Sequence, residues 1–226
     1  MLVDTHCHLD EGYFPEGPDA VLARARAEGV GAFVCIGVGG DLPMRFAVDL
    51  ARRRDDVVAT VGVHPHEASS HGPELRRLLQ ELAPDPRVVA IGEIGLDYHY
   101  DHSPREVQRA VFRELIGLAR AERLPIVVHT REAAADTLEI LESESARDVG
   151  GVIHCFSEDR AFASRALDLG FDLSFSGIVT FKGARSVHDV AALRNVGLEE
   201  LGAQTTANAE RRFGRALAVA GAIVQN

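Results

Sequence analysis

Short, mostly apolar runs alternate with amphipathic stretches along most of this chain, and that alternation limits the fold more than any single motif does. The runs are Leu2 to Thr5, Gly31 to Gly37, Val57 to Val63, Val88 to Ile94, Pro125 to His129, Gly151 to Cys155 and Phe171 to Ser176. Each has the length of a strand, and continuous apolar character suits strands buried on both faces. Helical spacing fills the gaps, over Pro18 to Glu28, Asp41 to Arg54, Pro73 to Leu82, Pro104 to Glu122, Glu132 to Glu144 and Asp159 to Leu169. Gly29, Pro84 and Pro86 stand where helices should stop. Strict alternation of this kind implies a parallel sheet flanked by helices.

A doubly wound sheet and a barrel both satisfy that pattern, and the placement of polar residues separates them. His6 and His8 are one residue apart at the end of the first run. On a strand they share a face, within reach of one cation. Glu93 sits in the nearly apolar segment Ile91-Gly92-Glu93-Ile94. A buried carboxylate needs a cation or an arginine opposite it, and Arg131 is one available partner. His129 and His154 end the runs PIVVH and GVIH. A lone histidine in such a place is usually bonded to backbone. Several at the same end of separate strands are better explained by a shared metal site, because a barrel gathers its chemistry at the C-terminal ends of its strands. An open sheet would concentrate it at one switch point. The expected fold is therefore a (β/α)8-type TIM barrel with seven recognisable strands.

The 226 residues, 46% of them hydrophobic, suffice for one core, so residues 1–226 are expected to form one domain. No apolar run reaches the roughly 20 residues of a membrane span, and Asp4 and His6 interrupt the only early apolar stretch, which therefore does not resemble a signal peptide. Cys7, Cys35 and Cys155 cannot all pair, so reduced, buried thiols in a cytoplasmic protein are expected. The net charge of −10 disfavours a broad basic face for nucleic acid, so any phosphate must be held locally. Lys182 is the only lysine, which leaves no strand-borne lysine to bridge metals.

The segments VDTHCHLD, VGVHPHEA, AIGEIGLDYHYDHSPREVQRAVFRELIGLA, LPIVVHTREA, VIHCFS, FSGIVTFKGA and TTANAERRFG together resemble the TatD family of metal-dependent hydrolases, in order and spacing. The resemblance implies deoxyribonuclease-like cleavage of phosphodiesters by a metal-activated water, with one or two divalent cations (Mg, Mn or Zn) per chain. It implies that His6 and His8 hold the first cation, that Glu93 bridges, and that His129 and His154 complete the second. It gives His64 a catalytic and substrate-binding role, and Arg131 and Lys182 substrate binding. Asp97 and Tyr98 follow Glu93, in a loop where they could support the site.

The resemblance has one gap. The family's eighth strand carries an aspartate in a segment reading roughly ETDxP, and no such segment occurs here. The chain passes from Ile178-Val179-Thr180-Phe181-Lys182 through Ser186 to Ala192 into Leu193 to Glu200, which is similar to the family's closing helices. The barrel is thus expected to lack its eighth strand through an internal loss, leaving strands one and seven with bare edges. Asp189 is the nearest acidic residue, and the apolar tail Leu217 to Val224 is one candidate to cover the edge. Weakened hydrolysis is one consequence to expect. The alternatives are an inactive metal-binding scaffold or an amide or ester hydrolase on the same fold.

Overall fold

The structure is a computed structural model that describes residues 1–10, 12, 14–177 and 197–214. Seven parallel strands, β1 (Leu2–Cys7), β2 (Val30–Gly37), β3 (Val57–Val61), β4 (Val88–Asp97), β5 (Ile126–Arg131), β6 (Gly151–Ile153) and β7 (Phe171–Leu173), pair in that sequential order. Sequential order without a reversal leaves no switch point, which is barrel winding rather than doubly wound winding. The crossovers carry helices α1 (Pro18–Ala27), α2 (Asp41–Arg53), α3 (Pro73–Leu82), α4 (Arg105–Glu122), α5 (Ala134–Ser143) and α6 (Arg160–Asp168), and α7 (Leu198–Phe213) closes the described chain. Two 3-10 turns, Pro65–Ser70 and Ala146–Asp148, interrupt the connections.

Each helix turns an apolar stripe to the sheet. In α4 the stripe is Val111, Phe112, Leu115, Ile116 and Ala119, spaced at three and four residues and buried. Charges at helix ends follow the macrodipole, as in α2, with Asp41 in the first turn and Arg52 and Arg53 in the last. The larger core lies between strands and helices. A second apolar cluster, Ala32, Val34, Ile36, Val58, Val89, Val127 and Val152, contains no residue of α1 to α6 and so fills the other, concave face of the sheet. Because side chains alternate along a strand, His129 shares that concave face with Val127, and His154 shares it with Val152.

Among the described residues β1 and β7 end the sheet without pairing to each other, so the barrel is incomplete. Helix α7 lies across this seam. Thr206 Oγ1 donates to the Met1 carbonyl at 3.1 Å on the β1 side. On the β7 side Arg211 and Arg212 donate to the Asp172 carboxylate at 2.8 and 2.7 Å, and Arg212 also donates to the Gly170 carbonyl at 2.7 Å. Between these anchors Ala209 and Phe213 are buried in the concave cluster. The expected cover for the bare edge, the tail Leu217 to Val224, lies outside the described residues, as do Lys182 and Asp189.

The cysteines depart from expectation: all three are free, but only Cys35 is fully buried, and Cys7 and Cys155 are half-buried. Cys7 Sγ reaches the Val34 carbonyl at 3.3 Å and Cys155 Sγ the Ser176 hydroxyl at 2.7 Å, polar neighbours that a fully apolar niche would not supply. No helix among the described residues is long and apolar enough to cross a membrane.

Candidate metal centre

Strand β4 is buried along its whole length, so Glu93 enters the interior as a carboxylate with 4% of its surface exposed. The arginine partner considered from sequence is elsewhere: Arg131 is exposed and lies over the Tyr100 ring. Histidines surround Glu93 instead. His6 Nε2 is 3.2 Å from Glu93 Oε2, His129 Nδ1 is 2.9 Å from Oε1, and His64 Nε2 is 3.9 Å from Oε1. Burial opposes the charge of Glu93, yet the hydrogen bonds from His129 and His6 hold its carboxyl well below the usual carboxylate range.

Ligand-capable atoms converge in two groups, His6 with His8 and Glu93, and His64 with Glu93 and His129, each within 4.8 Å. His154 is in neither group. Its ring is stacked on that of His6, with centroids 3.4 Å apart and planes 11° from parallel, and burial pushes its imidazole down to about 3, so it is neutral.

Hydrogen bonding refines what distance suggests. His64 Nδ1 accepts from the His66 backbone N–H at 3.2 Å. A ring that accepts at Nδ1 carries its proton on Nε2 when neutral, and burial lowers His64 to about 4, so it is neutral near pH 7. His64 therefore turns an N–H donor, not a lone pair, toward Glu93. His129 is held differently, with Nε2 3.0 Å from Asp97 Oδ2, which leaves Nδ1 as the nitrogen facing Glu93. Burial alone would lower the His129 pKa, but the flanking Glu93 and Asp97 carboxylates raise it.

The donor set fits a divalent cation. His6 Nδ1 is buried with no partner, three imidazoles (His6, His8, His129) stand around one carboxylate with His154 stacked on His6, and the carboxylate–histidine arrangement of Asp97 and His129 is the usual support of a metal-binding imidazole.

Asp97 is more central than its sequence suggests. It is the last residue of β4, not part of a loop, and is 1% exposed. Its Oδ2 also meets His66 Nε2 at 3.0 Å, while Oδ1 accepts from the backbone N–H of His99 and Tyr100 at 3.0 and 2.9 Å. Sequence alone does not single out His66. The only available signal is its place two residues after His64, and the 3-10 turn that aims it at Asp97 has no strong signature.

Residues 3–207 match the family described as TatD related DNase. This chain belongs to that family. Among its TatD relatives, the uncharacterized metal-dependent hydrolase YcfH of Escherichia coli K12 is 44% identical over 209 residues, 91% of this chain and 77% of that one. The 3'-5' ssDNA/RNA exonuclease TatD of Klebsiella pneumoniae is 35% identical over 179 residues, 79% of this chain and 67% of that one. The solved structure of YJJV, a TatD homologue from Escherichia coli K12, superposes with a TM-score of 0.74 at 30% identity, covering 80% of this chain and 70% of that one. The chain is thus a TatD-type metal-dependent hydrolase on an incomplete barrel.

Proposed function

We propose that this hydrolase cleaves phosphodiester bonds at the ends of single-stranded DNA, with His6, His8, Glu93, His129 and His154 holding one or two divalent cations. The observation that carries the reading is the buried Glu93 carboxylate, faced by His6 on one side and His129 on the other, as a bridging ligand would be. The name of the Klebsiella relative supports the choice of a nucleic-acid strand. An imidazole-rich donor set favours Zn²⁺ or another borderline cation over Mg²⁺.

When bound, such cations polarise a phosphoryl oxygen and lower the pKa of water from 15.7 to about 7. The chain's own groups do the rest. His64 offers its Nε2–H to an oxygen of the substrate, Asp97 fixes the orientation of His129, and the exposed Arg131 guanidinium receives a phosphate. The absence of the family's eighth-strand aspartate removes one ligand beside His6 and His8, and weakens turnover relative to a member that has it.

The test is end-labelled single-stranded DNA incubated with the protein and Zn²⁺, Mn²⁺ or Mg²⁺ in separate reactions. Stepwise shortening that requires the cation and is lost in Glu93→Gln is expected. A protein that binds cation in a calorimetric titration yet leaves every strand intact would be the inactive scaffold, and the proposal would fail.

A further inference from the structure

The connection from β4 to α4 holds a group of rings that the metal centre does not use. Tyr100 is exposed over half of its surface, at 50%. The His102 ring lies parallel to it, 3° between planes with centroids 5.6 Å apart. His99 meets Tyr100 edge-on at 4.7 Å, and His66 meets Tyr100 at 5.4 Å and His102 at 4.7 Å, again edge-on. The Arg131 guanidinium sits over the Tyr100 ring, 4.8 Å from its centroid. We propose that Tyr100, His102 and Arg131 form a stacking subsite for a nucleobase next to the phosphate at the metal centre. This rests on the phosphodiesterase reading above.

Three features separate this group from ordinary loop packing. The first is rigidity. Asp97 Oδ1 accepts from the backbone N–H of both His99 and Tyr100, and Ser103 Oγ donates to the His66 carbonyl at 2.9 Å while accepting from Ser69 N–H at 3.0 Å. The loop is therefore held before any ligand arrives, which reduces the ordering cost of binding. The second is charge. In a chain of net charge −10, most surface arginines face carboxylates, but Arg131 makes no ion pair among the described residues and meets only the Tyr100 ring. A planar guanidinium on an aromatic ring offers a flat, cationic surface suited to a base and its adjoining phosphate.

The third feature is position. His66 and His129 share the Asp97 Oδ2 atom, and their rings are 6.2 Å apart, so the exposed rings continue directly outward from the candidate ligands. Stacking on such rings is tolerant of sequence, because every base has a π-face. The subsite would thus recognise a single-stranded end by its bases in general rather than by their identity, and would leave a paired duplex, whose bases are already stacked, at a disadvantage.

The experiment is fluorescence anisotropy on the full chain, in chelator so that nothing is cleaved, with a short labelled thymidine strand and the same strand made abasic at its end. The intact protein should bind the base-bearing strand roughly five- to a hundredfold more tightly. Tyr100→Ala should bring that ratio close to one, and Tyr100→Phe should keep most of it. A protein that does not distinguish the two strands, or a Tyr100→Ala variant that keeps the full preference, overturns the subsite. Base-dependent binding without metal-dependent cleavage would leave the subsite standing and refute the phosphodiesterase reading alone.

Discussion

Replacing Asp97 by asparagine isolates what one buried carboxylate does for the centre. Burial works against the charge of Asp97, yet the Tyr100 N–H and the His66 and His129 rings hold its carboxyl down at about 2. In Asp97→Asn the side-chain amide oxygen can still accept from the His99 and Tyr100 N–H groups, so the turn survives. What changes is the atom facing His66 Nε2 and His129 Nε2, each 3.0 Å away, where an acceptor becomes an N–H donor. Leaving buried donors unmatched costs about 1–3 kcal/mol, which for a chain of this size lowers the melting temperature by roughly 2–12 °C. His129, whose two nitrogens face Glu93 and Asp97, relieves the clash by giving up its Nε2 proton and keeping the one on Nδ1, the nitrogen that faces Glu93. A proton held there withholds the lone pair a cation would use, so Asp97→Asn should weaken cation binding about 10- to 100-fold. Calorimetric titration with Zn²⁺ or Mn²⁺, run beside a thermal melt, measures both effects. A variant that melts lower but binds cation as tightly as the parent would refute the argument that Asp97 sets the His129 tautomer.

Three other perturbations test the frame around the site. Glu114 on α4 is held at about 2 by hydrogen bonds from Arg76 on α3, with His71 adding to them; because its folded pKa is depressed, its contribution is present above the unfolded value of about 4.3 and disappears as pH falls through the folded one. The Glu114 side chain is 37% exposed, so solvent screening limits this to about 1 kcal/mol, and the difference in urea stability between the parent and Glu114→Gln should vanish between roughly pH 4 and pH 2. Gly95 has φ 142°, and a Cβ there would stand 2.0 Å from the His129 carbonyl oxygen, so Gly95→Ala should cost about 3 kcal/mol or more in urea denaturation, and an unchanged midpoint would contradict the close approach. Phe213→Ala, in α7, should cost about 3–5 kcal/mol and speed amide hydrogen exchange across residues 198–213; unchanged protection there would show that α7 does not depend on its insertion into the concave face.

Apolar patterning makes the strands and their order readable, because strands buried on both faces have no polar side to blur their limits. The ends are less readable. The pattern predicts that β4 stops at Ile94, before Gly95, but the strand runs on to Asp97, because Gly95 permits a close approach to β5 and Leu96 and Asp97 still pair with Thr130 and Arg131. That extension brings Asp97 into the interior. His6, His8, Glu93, His129 and His154 can each be named from the sequence because each ends or interrupts an apolar run. Which nitrogen of His129 faces Glu93, and that His64 presents a donor, depend on contacts between residues well separated in the chain. No local pattern encodes those. His66 and Tyr100 lie in connections, where composition says little about direction.

The seam between β1 and β7 links fold and chemistry. At the N-terminal end of the strands α7 joins β1 to β7 through Met1 and Asp172. Along its length β1 pairs with β2 through register shifts after Leu2 and Asp4, and its C-terminal end is fastened to the barrel by His6, through Glu93 on β4 and the stack on His154 after β6. His6, which would help hold the first cation, is therefore also a residue that keeps β1 in place, since among the described residues no eighth strand pairs with it. A ligand that binds the folded arrangement alone stabilises it by mass action, so cation binding at His6 and His8 should raise the stability of β1 more than that of β3 to β5. Residue-resolved hydrogen exchange with and without Zn²⁺ reads this directly, and equal protection gained by all strands would separate the seam from the metal centre.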